Sequence, residues 1–336
     1  MEGILIILVA SLFNANFTLP MKYTKKWDWE HAWGMWSVWA CFILPVIVAY
    51  LSVPNLLNVY ESVSLARLML VFGASLAWGL SAIAFGLGVA LTGIAIGFSV
   101  IMGLVITTGT LIPLVSVNPQ AIFTPTGLCI VAGLVAMMIG IVLCGKAGYE
   151  KDRHLVNKTD TSVDSKAFKK GIIMCILAGV FGPMINFSFI FGEPIKTAAL
   201  NSGANPLWAT NAIWCLTLFG GFVANSGYCA YLITRRGTWN KLFAPQTVSH
   251  WGLGSLMGLF FMAGIVFYGV GTSKIGELGT SIGWAVFQGP TIIIANLSGF
   301  LTGEWKGANS NAVKTMIKGV LAILVGIVII AIARVI

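Results

Sequence analysis

The sequence predicts an all-α membrane protein of ten transmembrane helices, and three observations carry that prediction. Only 9% of the 336 residues are charged while 57% are hydrophobic. A soluble domain carries about 25% charged residues, so this chain could not cover a water-facing surface. Ten apolar runs of membrane-crossing length follow one another along the chain. None alternates apolar with polar residues as a barrel strand would, and helices are then the way for a backbone in lipid to satisfy its own hydrogen bonds. The same composition argues against intrinsic disorder and against a disulfide-built secreted scaffold. Nucleic acid is not an expected partner despite a net charge of +9, because the basic residues sit in the connections between apolar runs and not on a folded basic face.

In order, the runs are residues 3–21, 31–51, 66–89, 93–115, 126–144, 171–191, 207–233, 251–270, 278–301 and 316–332. Each is close to the roughly 20 residues that a spanning helix needs. Glu2 precedes the first run and basic residues follow it, so it reads as a span and not as a secretory signal. The six cysteines lie in or at the ends of runs with no Cys-x-x-Cys spacing, which makes them small buried hydrophobes, with no metal or redox cofactor expected. Trp27, Trp29, Trp36, Trp39, Trp208, Trp239, Trp251 and Trp305 cluster at run ends and read as an interfacial belt. The polar stretch 150–170, with five runs on each side, reads as a solvated linker.

Orientation follows from the Lys/Arg asymmetry. With the N-terminus outside, sixteen of the twenty Lys and Arg residues fall in inside connections, and only Arg67, Lys196, Lys274 and Arg334 fall outside. By the positive-inside rule both termini then face out. Five spans is an odd number, so two five-span halves in series insert with opposite orientation. The residues support this reading. Gly93, Ile96, Gly97, Val100 and Gly103 recur 186 positions later as Gly279, Ile282, Gly283, Val286 and Gly289, a shared G-x-x-I-G-x-x-V-x-x-G. The halves are expected at 1–147 and 170–336, with a cytoplasmic linker at 148–169. Inverted repeats of this kind rock about a site near the bilayer midplane.

All eleven acids, and every Lys and Arg, lie at or beyond span ends. A charge at the bilayer centre costs at least about 2.5–3.5 kcal/mol, and this chain carries none there. That disfavours channels with charged rings and carriers of strongly ionic substrates. A membrane hydrolase is disfavoured too, for want of any His/Asp/Ser or His/Glu metal constellation. The interior instead offers neutral donors and acceptors beside aromatic rings. The candidate substrate-binding residues are Asn14 on the first span, Trp78 on the third, Asn186 and Phe189 on the sixth, Tyr268 on the eighth, and Trp284 and Gln288 on the ninth. On the ninth span Ser281, Trp284, Gln288 and Thr291 form a stripe broken near its middle by Gly289-Pro290. Amides both donate and accept, as hydroxyls do, and flat rings suit the C–H faces of a sugar. The alternative is that these Ser, Thr and Asn side chains bond neighbouring helices or their own backbone. Glu193, at the outer mouth of the sixth span, is the candidate proton-coupling acid; its alternative is a solvated helix-end acid beside Lys196.

Several stretches together resemble the L-rhamnose–proton symporter family of the drug/metabolite transporter superfamily. They are Lys25-Lys26-Trp27-Asp28-Trp29-Glu30, Lys169-Lys170-Gly171, Pro194-Ile195-Lys196-Thr197-Ala198-Ala199, Asn205-Pro206-Leu207 and Glu304-Trp305. The resemblance implies a drug/metabolite transporter-like fold of ten spans in two inverted halves. It also implies uptake of a 6-deoxyhexose with protons across a bacterial inner membrane. The expected partners are therefore a small sugar, protons and the lipid bilayer. An exporter or facilitator of the same superfamily is the alternative, and no enzymatic activity is expected.

Overall fold

The computed structural model describes residues 2–117, 119–155, 165–276 and 278–333. The expected linker therefore lies partly outside the described residues, at 156–164, as do Glu277 and Arg334. Among the described residues there are helices and no strands. In chain order they are α1 (Glu2–Asn16), α2 (Trp29–Val38), α3 (Leu44–Ser52), α4 (Leu56–Glu61), α5 (Leu65–Thr92), α6 (Ile94–Val117), α7 (Pro125–Leu155), α8 (Ser165–Phe181), α9 (Met184–Phe191), α10 (Glu193–Asn201), α11 (Asn211–Arg236), α12 (Asn240–Phe243), α13 (Val248–Ile275), α14 (Gly279–Leu301) and α15 (Ser310–Ile332). Ten helical stretches among them are long and apolar enough to cross a membrane, from Glu2–Tyr23 to Ser310–Ile332. They take the ten expected runs in order, and the protein is a multi-pass membrane protein.

Three local departures have physical causes. The second span joins α2 to α3 through a wide π turn over Trp39–Ile43, immediately before Pro45, whose missing N–H cannot continue an ordinary ladder. The sixth span is three pieces, α8, α9 and α10, because Gly182 and Pro183 interrupt it first and Gly192, ahead of Pro194, interrupts it again. Conversely, α14 runs unbroken through Pro290, so the Gly289-Pro290 pair does not end the helix there. The helices also reach into the expected linker, α7 extending to Leu155 and α8 beginning at Ser165.

Two compact units result, and each draws helices from both halves of the sequence. One comprises Met1–Leu80 with Met184–Lys274, the other Ser81–Pro183 with Ile275–Ile336. In the first, α2 and α3 pack along α11. Gly79 makes room for α11, since a Cβ there would stand 2.6 Å from the Ala224 Cβ. In the second, α7 and α15 lie together through facing glycines. A Cβ on Gly140 would meet the Gly319 carbonyl at 2.6 Å, and one on Gly319 the Gly140 carbonyl at 2.8 Å. Small residues let membrane helices approach this closely. Gly93 alone joins α5 to α6, at a φ of +83° that favours glycine.

Candidate functional site

Two candidate residues of the first unit, Asn14 and Trp78, and their neighbour Phe261 stand near the middle of their membrane spans. Asn14 is the thirteenth of 22 residues in the span Glu2–Tyr23. Trp78 is the fourteenth of 28 in α5, and Phe261 the fourteenth of 28 in α13. At about 1.5 Å per residue, all three are about as far from one end of their helix as from the other.

Around them the structure builds an aromatic wall. Trp78 stacks on Phe261 with centroids 6.0 Å apart and planes 14° from parallel. Phe261 in turn meets Trp36 edge-on at 5.2 Å and Phe17 at 5.3 Å. Trp78 seats against Gly221, where a side chain would collide with its ring. Behind it, Trp33 stands 4.4 Å from Trp36 and donates its indole N–H to Asn225 Oδ1 at 2.9 Å. Asn225 donates its own amide to the Gly221 carbonyl. One turn from Phe17, Asn14 passes α13 at Gly264, close enough that a Cβ there would lie 3.3 Å from the Asn14 nitrogen. Its side-chain amide is half-buried and hydrogen-bonds none of the described residues. Trp36 is buried at 2% exposure and Trp27 at 7%, so these two do not form an interfacial belt. The rings of Phe17 and Phe261 cover Trp36, and those of His250 and Trp251 pack on Trp27.

Asn186, Phe189 and Tyr268 come together in a second cluster of the same unit, and this one is sealed. The Tyr268 hydroxyl donates to Asn186 Oδ1 at 2.6 Å. Phe189 stacks on Trp214 at 4.7 Å, and Tyr268 packs across both rings. None of the four is more than 4% exposed. A chain of hydroxyls holds the adjoining helices. Ser188 donates to the Val71 carbonyl at 2.8 Å and accepts from Thr217 Oγ1 at 2.8 Å, while Ser75 donates to the Thr217 carbonyl. Ser11, Ser75 and Ser281 all bond backbone carbonyls, the structural role weighed for such groups.

The remaining two candidates belong to the second unit. The Trp284 indole donates to the Val105 carbonyl at 3.0 Å, and its ring fills the space that the absent Gly109 side chain leaves. One turn on, Gln288 is half-buried and its amide hydrogen-bonds none of the described residues. Glu193, in the first turn of α10, is 58% exposed and pairs with Lys196 at 2.9 Å. It lies on the rim of an open basin of about 970 Å³ that Asn58, Arg67 and Asn201 also line.

The half-buried Asn14 amide and the stacked rings of the first unit, with no charge among them, fit a small neutral polyhydroxylated solute. Comparison with known proteins agrees. Residues 1–335 match the family described as L-rhamnose-proton symport protein (RhaT). The chain belongs to that family. Relatives named L-rhamnose-proton symporter come from Shigella boydii serotype 18 (strain CDC 3083-94 / BS512) and Escherichia coli (strain SMS-3-5 / SECEC). Each is 26% identical over 330 residues, covering 96% of this chain and 95% of the relative. The L-rhamnose-proton symport family is one of transporters, not enzymes. Within this member, Phe17, Trp33, Trp36, Trp214, Asn225 and Phe261 are the neighbours that sequence reasoning missed. Asn225 carried the same signal as Asn14 and Asn186, an amide within an apolar run.

The first unit also carries a charged clasp where α2 begins. Asp28 accepts from Lys241 Nζ at 2.8 Å, and buried Glu30 accepts from Arg236 Nη1 at 2.8 Å. The Trp27 indole donates to the Lys241 carbonyl at 2.9 Å. Gly237, in the left-handed region at φ +64°, ends α11, with Thr238 N–H returning to the Ile233 carbonyl. This turn presents the Thr238 carbonyl to His31. The Lys241 hydrogen bond, helped by the charges of Lys241, His31 and Arg236, holds the Asp28 carboxyl below its ordinary pKa against the opposing effect of burial.

Proposed function

We propose that this protein takes up L-rhamnose or a related 6-deoxyhexose together with protons across a bacterial inner membrane, by alternating access. The observation that carries the reading is the match along the whole chain to a proton-coupled rhamnose symporter family. The uncharged, ring-lined mid-helix region supports it independently. In this reading Asn14 and Trp78 of the first unit contact the sugar, the first through its half-buried amide and the second through its flat ring, and Asn186, Phe189 and Tyr268 form the layer behind them. Trp284 and Gln288 are the candidate sugar contacts of the second unit. The G-x-x-I-G-x-x-V-x-x-G repeat supports two inverted halves, 1–147 and 170–336, and the Lys/Arg asymmetry supports periplasmic termini and a cytoplasmic linker. One proton crossing 100 mV supplies about 2.3 kcal/mol, enough for roughly 40-fold accumulation.

Proteoliposomes test the reading directly. Labelled L-rhamnose is expected to accumulate inside when the outside is acid, and to equilibrate only when a protonophore collapses the gradient. Equilibration without accumulation, whatever the gradient, would make the protein a facilitator, and export alone would reverse its direction. Glu193 is proposed as the acid that meets protons at the outer basin. Glu193→Gln is then expected to flatten the pH dependence of uptake, and an unchanged profile removes Glu193 from coupling.

A further inference from the structure

A proton carried with a solute has to be held out of contact with water while the protein changes state. Glu193 is 58% exposed, so a shielded group with an unfilled proton position must serve that need. His31 is such a group. Its side chain has no exposed surface. Its Nε2 lies 3.0 Å from the Thr238 carbonyl oxygen, which can only accept, so Nε2 carries the hydrogen. The other nitrogen, Nδ1, is therefore a bare lone pair in the neutral ring. It is buried with no hydrogen-bond partner among the described residues, although an unpaired buried acceptor costs about 1–3 kcal/mol. It stands 3.8 Å from Asp28 Oδ2.

From this geometry we infer that His31 Nδ1 is a proton-binding site of the transport cycle. The inference rests on the symport reading above. The ionisable groups facing His31 are Asp28 from the preceding turn, Glu30 beside it on α2, Arg236 and Cys229 from α11, Lys241 from α12 and His250 from α13 across the Trp27 ring. Donor atoms of Asp28, Glu30 and His31 lie within 4.8 Å of one another, a spacing that also raises the possibility of a metal ion. Lys241 and Arg236 already neutralise the two carboxylates, so a divalent ion would add two uncompensated charges where a proton adds one. That proton turns Nδ1 into a donor aimed at the nearest carboxylate. Histidine is also the side chain whose charge changes between pH 5 and 8. Connection to the sugar is short, because Trp33 and Trp36 of the aromatic wall stand two and five residues further along the same helix, α2. Binding linkage is reciprocal: a proton at His31 that tightens sugar binding is itself held more tightly when sugar is bound.

The chain has three histidines, so selective ¹³C-histidine labelling of the full-length protein in detergent gives three ring signals, assignable with His31→Gln. At a fixed pH, saturating L-rhamnose is expected to move the His31 signal toward that of the doubly protonated ring. L-Rhamnose Kd is expected to tighten about tenfold from pH 8 to pH 6, within the usual range of coupling energies. The glutamine amide can still donate to the Thr238 carbonyl but takes no proton. His31→Gln is therefore expected to bind sugar with under twofold pH dependence and to lose proton uptake from a weakly buffered medium. The inference is overturned if His31 in the unmodified protein holds one protonation state from pH 8 to pH 6, if its signal ignores bound sugar, or if His31→Gln still takes up a proton. A titrating His31 in a protein that binds no L-rhamnose would instead sink the substrate reading and keep the proton site.

Discussion

Two clusters of the first unit hold the same kinds of side chain and differ in one respect. Around Asn186 and Tyr268 every ring is covered and the amide oxygen already has its donor. Around Asn14 the rings of Phe17, Trp33 and Trp78 are only half-buried, and the Asn14 amide bonds none of the described residues. A buried hydrogen bond that is complete fixes a shape. An amide left open at mid-helix, where no lipid group can bond it, calls for a ligand or water. Residue type therefore does not locate a neutral-solute site; unspent bonding capacity does.

Trp78→Ala is the strongest way to break this contrast. It removes the stacking face and is expected to weaken L-rhamnose binding by about 2 kcal/mol, roughly 30-fold in Kd, while Trp78→Phe keeps most of the affinity. Isothermal titration in detergent reads the effect. Tyr268→Phe probes the opposite region. It leaves Asn186 Oδ1 buried without its donor, at a cost of about 1–3 kcal/mol in stability. A lower melting temperature is expected, with sugar Kd within about twofold. The reverse result, a large change in Kd with melting unmoved, would mean that the sealed cluster opens to touch sugar.

The ten spans were legible in the sequence because a backbone in lipid has so few solutions that length and hydropathy nearly determine it. The site was less legible, and particular residues show why. Asn14 and Trp78 could be picked out as a polar group and a ring in apolar runs, but the same criterion selects Asn186 and Trp284, whose bonding capacity the fold has already used. Trp36 sits near a span end, where tryptophan ordinarily marks the membrane interface. Nothing local reveals that Phe17 and Phe261, at distant sequence positions, close over it. Pro290 misled in the other direction. Proline removes one N–H, and a buried helix held on both sides by packing tolerates that loss without ending.

The smallest expected effect lies at the clasp, and it sharpens the same distinction between groups that hold shape and groups that exchange with the surroundings. Lys241 keeps the Asp28 carboxyl below its ordinary pKa. A depressed carboxyl contributes stability above its unfolded pKa, about 3.9, and that contribution is lost as pH falls from there through the lower folded value. Asp28 is 40% exposed, so solvent screens the pair and the contribution is modest. Lys241→Gln is therefore expected to lower the melting temperature slightly at pH 6 and by less at pH 3, because the contribution shrinks as pH falls below the unfolded pKa. Differential scanning fluorimetry at the two pH values reads the difference. A gap that persists undiminished at pH 3 would mean that the Lys241 side chain acts through the packing of its methylenes and not through its charge.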